Sequence, residues 1–261
     1  MSNELSLPST KNSDLAFLEI AEAAGGLMLP TVKVVAIGDK AMFSPDAGND
    51  PKDLDLLPSS GKAVPALYIA RRIGALSWKV GFDEKEEGDS PAFCAFADPT
   101  NDADIKLISA ATKAVQMTPR DQKSKYDFEK SKCGHVKPLL ELLVFLPGVG
   151  FAVVSVAPNF YNVVDGVKAL GTLDGPIPVM LKPDATPHKT GKSSAFCSLE
   201  VISGDAKGKL AEAFAAYQEA NKENLQIRQA TDSWLSCTDR PMTDEIRAAL
   251  NVAVTLNPPR Y

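Results

Sequence analysis

The sequence has few of the side chains that enzymes commonly use for acid–base chemistry. Two histidines, His135 and His188, occur among 261 residues, which leaves little room for a histidine-based mechanism. The spaced motifs of zinc peptidases and serine hydrolases, HExxH and GxSxG, are missing, and the acidic residues show no spacing typical of a metal site. The sequence therefore predicts a protein that is not an enzyme and needs no cofactor.

Cysteine is scarce too, and its copies are far apart. Cys94, Cys133, Cys197 and Cys237 form no CxxC pair, which indicates free thiols in a reducing compartment. Cys133 and His135 could offer two ligands to zinc, but a complete site would also require Cys94 or Cys197. We predict no metal site and leave the role of the Cys133–His135 pair open.

Long hydrophobic runs are missing as well. The longest apolar stretch, residues 139–157, is interrupted by Glu141, Pro147 and Gly148, whereas a membrane-spanning helix needs about 20 mainly apolar residues. The polar N-terminal segment lacks the basic and apolar regions of a signal peptide. These absences predict a soluble, cytoplasmic protein without a membrane partner.

Negative charge is in excess, with 33 acidic against 28 basic residues and a net charge of −5. This balance argues against a protein that coats duplex DNA by charge alone, although a local basic groove can still attract a polyanion. Such a basic segment runs from residue 113 to residue 137, where seven Lys or Arg stand against three Asp or Glu. A polyanion-binding surface is therefore expected locally.

The pattern of apolar residues predicts mixed secondary structure rich in strands. Alternation with a period of two predicts strands in TVKVVAIG, IPVMLK and SAFCSLEVIS, and apolar runs predict a pair of strands in PLLELLVFLPG and FAVVSVAP. One or two strands are expected in PALYIARRIGALSWKVGF around Gly74, and a further strand in AFCAFAD. Helical spacing predicts helices over 14–24, 159–171 and 205–224, and one more that is capped by Thr243. Residues 38–62 are expected to form a long surface loop, and residues 100–135 have no apolar period.

These segments predict an α+β, β-rich fold in which one OB-like, partly open barrel carries helices at its ends. The barrel strands lie between residues 31 and 202, and short strands with Gly- and Pro-rich turns suit such a barrel. The expected organisation is a tail with a short helix over 1–29, an OB-like nucleic-acid-binding domain over 30–225, and a C-terminal extension with a short helix over 226–261.

The tripeptide Gly191-Lys192-Ser193 raises the alternative of a nucleotide-binding loop. That loop requires a first glycine at position 186, where this chain has threonine, and Pro187 removes a further backbone donor. The residues after Ser193 alternate as in a strand, whereas the phosphate-binding loop leads into a helix. The segment instead predicts a β-hairpin with a cationic tip, which either is simply solvated or closes on a polyanion.

Three segments combine cations with aromatic residues, as proteins that hold single-stranded nucleic acid do. Lysines near phosphates attract the backbone, and each base that stacks on an aromatic ring contributes about 1–3 kcal/mol. For any single aromatic residue, a place in the core is the competing interpretation. The candidate nucleic-acid-binding residues are Arg71, Arg72, Trp78, Lys79, Lys123, Lys125, Tyr126, Phe128, Lys130, Lys132, Lys182, His188, Lys189, Lys192 and Phe196.

The order of these segments resembles a family of bacteriophage and plasmid proteins considered to be OB-fold-like, single-stranded-DNA-binding proteins. The resemblance lies in "ALSWKVGFDEKEEGDSPAFCAF", in "KSKCGHVKPLLELLVFLPGVGFAVVSVAPNFYNVVDGVKAL" and in "IPVMLKPDATPHKTGKSSAFCSLEVISG". It covers roughly residues 30–225 as a pattern with few identities. The relatives often carry a CxxC before the segment of Cys133, and many single-strand-binding proteins end in an acidic tail; this chain has neither.

The sequence thus predicts a non-catalytic, sequence-independent single-stranded-DNA-binding protein of a bacteriophage that acts in replication or recombination. Homo-oligomerisation and contacts with replication or recombination proteins are compatible with this function. The alternative is a phage structural or host-interaction protein that binds no nucleic acid. A nucleotide-dependent enzyme is the third interpretation. The choice between DNA and RNA stays open, because no motif here reads the 2′-hydroxyl.

Overall fold

The computed structural model describes residues 29–46, 57–78, 91–98, 100–117, 135–156, 176–187 and 193–256. The strands are β1 Thr31–Ile37, β2 Lys40–Pro45, β3 Val64–Trp78, β4 Pro91–Phe96, β5 His135–Leu146, β6 Gly150–Val156, β7 Ile177–Pro187 and β8 Ser193–Val201. The helices are α1 Asp102–Met117, α2 Asp205–Ala220, α3 Leu225–Leu235 and α4 Asp244–Leu256. The predicted helices over 14–24 and 159–171 lie outside the described residues.

The strands form one mixed sheet, so the predicted α+β class is confirmed. Seven strands follow the order β2-β1-β6-β5-β3-β7-β8, and β4 pairs with β3 beside this path. β1 pairs with β6 in parallel, whereas the pairs β1–β2, β3–β4, β3–β7 and β7–β8 are antiparallel. The seven-strand path is curled into a half-barrel, since β1 contacts β8 and β2 contacts β7 from opposite ends of the strand order.

The chain divides into two compact units, and the first contains the curled sheet with α2 and α3. It comprises Met1–Ala70, Leu142–Val156 and Leu173–Trp234. α2 packs Leu210, Phe214 and Tyr217 against Leu67 and Phe145 of the sheet, as its helical spacing predicts. α3 buries Trp234 against Leu143 and Val153. The core of this unit therefore lies between the sheet and these two helices.

The second unit comprises Arg71–Glu141, Ala157–Thr172 and Leu235–Tyr261. Its core is the contact between α1 and α4, where Ile108 and Ala111 pack with Ala249 and Leu250. Arg247 of α4 holds the buried Asp104 of α1 through two hydrogen bonds of 2.8 and 3.0 Å. As predicted, Thr243 precedes α4 and its hydroxyl accepts a hydrogen bond from the Ile246 N–H.

All seven predicted strand segments contain a strand, but three features were predicted wrongly or missed. The segment 38–62 is not one long loop, because β2 folds back on β1 and buries Phe43. Residues 102–117 are helical although they lack a strong apolar period, and α3 was not predicted at all. No helix in the described ranges is both long and apolar enough to cross a membrane.

Candidate nucleic-acid interface

The β7–β8 hairpin, which the sequence predicts, is regular over nine residue pairs. Its register runs from Val179 opposite Val201 to Pro187 opposite Ser193 without a shift. Successive side chains on a strand point to opposite faces, and directly opposed residues share a face. Val179, Leu181 and Pro183 are buried, whereas the exposed Lys182 lies between them. The hairpin therefore has one packed face and one face toward solvent.

The solvent side brings together Lys182 of β7 and Phe196 of β8, which are separated along the chain by the turn of the hairpin. Lys182 lies opposite Ser198, and Phe196 lies opposite Asp184, one step further toward the tip. Lys182 is exposed and Phe196 is half-buried. We term this surface the outer hairpin face; its residues are Lys182, Asp184, Thr186, Phe196, Ser198 and Glu200.

Charge on the outer hairpin face is mixed, with Lys182 beside the carboxylates of Asp184 and Glu200. Oδ1 of Asp184 accepts a hydrogen bond of 2.8 Å from the Ala185 N–H. The Ser198 hydroxyl donates to the Lys182 carbonyl oxygen at 3.4 Å. These bonds fix the Asp184 carboxylate, which belongs to the residue opposite Phe196, and the Ser198 hydroxyl, which belongs to the residue opposite Lys182.

Cys197 lies on the opposite, packed face of the hairpin, directly across from Pro183. The side chain is half-buried by its surface area, yet its surroundings remove most of the water from the sulfur. This desolvation raises the pKa of the Cys197 thiol to about 12, against a smaller lowering by a hydrogen bond with the Lys182 backbone. A thiol with this pKa is protonated at neutral pH and is a poor nucleophile.

Arg72 is buried, and other side chains of the protein contact its guanidinium. The residue is 5% exposed, and its Nε donates to Oε2 of the buried Glu141 at 3.0 Å. Its two terminal nitrogens donate to both carboxylate oxygens of Asp239 at 2.6 and 3.1 Å. The guanidinium carbon lies 3.7 Å from the centre of the Phe96 ring. These contacts occupy the donors that a phosphate would need.

The remaining predicted residues are only partly described. Arg71 is half-buried on β3, and Trp78 is the last residue of that strand. The candidates outside the described residues are Lys79, Lys123, Lys125, Tyr126, Phe128, Lys130, Lys132, His188, Lys189 and Lys192. Of the fifteen candidates, the described residues thus bring Lys182 and Phe196 together on one exposed face.

The segment after Gly191-Lys192-Ser193 is strand β8, as predicted, and not the helix that a nucleotide-binding loop requires. Within the described ranges, no three His, Cys, Asp or Glu residues lie close enough to hold a metal ion. Cys133 lies outside those ranges, so the Cys133–His135 pair stays open.

Sequence reasoning overlooked Asp184 as a member of the site. The position of Asp184 opposite Phe196 depends on the strand register, which the sequence does not reveal.

Comparisons of the chain with family models, with curated proteins and with solved structures found no match.

Proposed function

We propose that this chain is a non-catalytic protein that binds single-stranded DNA largely without regard to sequence. In this proposal the curled sheet is an OB-like, partly open barrel, and the protein acts in bacteriophage replication or recombination in the host cytoplasm. The observation that carries the proposal is the diagonal placement of Lys182 and Phe196 on the outer hairpin face, where Lys182 lies opposite Ser198 and Phe196 lies opposite Asp184.

This arrangement of an aromatic ring and a cation on one face suits the binding of a single strand. A base in a single strand exposes its ring faces, so it can stack on an aromatic side chain for about 1–3 kcal/mol, while duplex bases are already stacked. Phe196 is half-buried, which fixes the ring, and Lys182 is exposed beside it. A cation at this position suits the phosphate that joins a stacked base to the next nucleotide.

The sheet gives the proposal a second support. Proteins with OB folds bind oligonucleotides on a strand face and on the loops that border it. Strands β7 and β8 are the last two in the seven-strand order, so the outer hairpin face lies at one end of the curled sheet. In the sequence, residues 188–192 connect β7 to β8 and include two more lysines, Lys189 and Lys192, which lie outside the described residues.

The proposal is tested by titrating the protein with fluorescent oligo-dT and following anisotropy between about 50 and 200 mM salt. We expect binding that weakens with salt. The Lys182→Ala variant should bind more weakly and lower the slope of log K against log salt by about 1, since one phosphate contact is lost. Phe196→Leu should weaken binding by about 1–3 kcal/mol with little change in slope, since it removes stacking.

Lys207→Ala is the matched control, because Lys207 is an exposed lysine on α2 and not on the hairpin. Its affinity and salt slope should equal those of the unchanged protein. Circular dichroism would establish that each variant is folded. No binding of oligo-dT at low salt would overturn the proposed function, and equal losses for Lys182→Ala and Lys207→Ala would remove the hairpin from the interface.

A further inference from the structure

We infer that Asp184 makes the outer hairpin face prefer guanine at one base position of a bound single strand. The inference rests on the proposed function and deepens it, because it assigns a specificity-determining residue to a protein that otherwise binds through stacking and charge. It starts from the position of Asp184 directly opposite Phe196 in the hairpin register.

The position of Asp184 decides which part of a nucleotide can approach it. Directly opposed residues in an antiparallel pair have Cβ atoms about 5 Å apart, so a base on the Phe196 ring would extend over the Asp184 carboxylate. A phosphate there would meet a like charge, which is unfavourable at short range. The strand must therefore turn its bases toward Asp184 and its phosphates toward Lys182.

The chemistry of the carboxylate then selects among the bases. An ionised carboxylate only accepts hydrogen bonds. The Watson–Crick edge of guanine carries two adjacent donors, the N1–H and the 2-amino group, which match the two oxygens of one carboxylate. The corresponding edge of thymine has one N–H between two carbonyl oxygens, and each of those oxygens would face the carboxylate unfavourably. Adenine and cytosine each offer one amino group beside an acceptor nitrogen.

Asp184 is also held in place before any ligand arrives. The Ala185 N–H donates to its Oδ1 at 2.8 Å and fixes the carboxylate, while each carboxylate oxygen can accept more than one hydrogen bond. The residue is half-buried, so less water competes for it than at the exposed Glu200. A fixed and partly desolvated acceptor discriminates more strongly than a mobile one.

The test compares three oligonucleotides of equal length: oligo-dT, alternating thymine and guanine, and alternating thymine and inosine. The alternating sequences present the test base in every binding register, and inosine lacks only the 2-amino group of guanine. By fluorescence anisotropy with the full chain, we expect the guanine sequence to bind about tenfold more tightly than oligo-dT, as for one good bidentate contact. The inosine sequence should lie between the two.

Asp184→Asn should reduce the ratio of guanine to thymine affinity to near one, while its side-chain oxygen can still accept the Ala185 N–H. Glu200→Gln is the matched control, because it removes the same charge from the same face about 13 Å along β8 from Phe196. Glu200→Gln should bind all three oligonucleotides somewhat more tightly through reduced repulsion and keep the ratio. Asp184→Asn should bind oligo-dT somewhat more tightly but the guanine sequence more weakly, because the bidentate contact is lost.

The outcomes separate this inference from the proposed function. Salt-sensitive binding of all three oligonucleotides with equal affinity would overturn the role of Asp184 and leave single-strand binding intact. A guanine preference that survives in Asp184→Asn would also overturn it. Failure of every oligonucleotide to bind would instead reject the proposed function itself.

Discussion

At the scale of single residues, Arg72 illustrates how a buried cation is stabilised. Its guanidinium is held by two carboxylates and lies over the Phe96 ring. Glu141, at 5% exposure, depends on Arg72 for compensation of its charge. Asp239 is closer to solvent, so it loses less if Arg72 is removed. The ion pair with Glu141 is therefore the costly one to break.

We expect Arg72→Met to lower the free energy of unfolding by about 3–5 kcal/mol, because it removes the cation that compensates the buried Glu141 carboxylate. The double variant Arg72→Met/Glu141→Leu should recover most of that loss, since apolar groups replace both charges. Chemical denaturation of both variants checks this. A double variant that is as unstable as Arg72→Met would contradict the explanation and point to lost packing on Phe96 instead.

At the scale of elements, the close contact between the start of β6 and α2 depends on Gly150. This residue has φ +102, and a Cβ atom there would lie 2.7 Å from Oη of Tyr217. Tyr217 packs in turn against the rings of Phe145 and Phe151, at centroid distances of 5.2 and 5.6 Å. A side chain at position 150 would thus displace the aromatic contacts by which α2 docks on the sheet.

We expect Gly150→Ala to destabilise the protein by more than the roughly 1–3 kcal/mol that a strained backbone conformation alone costs. Gly204→Ala supplies the comparison, because Gly204 also has a positive φ, +75, but nothing lies within 4 Å of its added Cβ. Urea denaturation should rank the two variants in that order. Equal destabilisation would mean that Tyr217 moves aside freely and does not fix α2.

The elements also show how far the sequence predicts this fold. Strands β7 and β8 and the pair β5–β6 were predictable, because their apolar residues either alternate or form largely apolar runs on the two sides of a Pro-Gly turn. Helix α1 was missed because small residues such as Ala111 and Ala114 form much of its buried face and give little apolar contrast. β2 was missed because it is six residues long and buries mainly Phe43.

The candidate site was predictable only in part, because contacts between residues far apart in the sequence complete it. Residue type and local spacing single out Lys182 and Phe196, but only the strand register puts them on one face and adds Asp184. Arg72 has the same residue type as a phosphate-binding arginine. Its partner Asp239 lies 167 residues further along the chain, and no local pattern can reveal a contact over that separation.

At the scale of the whole molecule, Cys197 of the first unit and Cys237 of the second are the described thiols that stay protonated well above neutral pH. Burial raises the pKa of Cys197 to about 12 in the first unit. In the second unit burial raises the pKa of Cys237 to about 11, and nearby carboxylates add to the rise while Arg72 opposes it. Unfolding exposes both thiols to water and returns them to an ordinary pKa near 9.0.

Global stability should therefore fall at alkaline pH. Because the folded state holds these protons more tightly than the unfolded state, the contribution of each thiol is complete below about pH 9 and is lost as the pH rises through about 11 to 12. Between about pH 8 and pH 10, the loss should approach about 1 kcal/mol per thiol.

Denaturation with urea in the presence of a reductant, at both pH values, measures this loss. The variant Cys197→Ala/Cys237→Ala should lose about 2 kcal/mol less than the unchanged protein over the same interval, whatever its stability at pH 8, since other titrating groups are common to both. Comparing the two pH dependences cancels the effect of the substitutions on packing. An identical decline in both proteins would show that the thiols are already hydrated in the folded state.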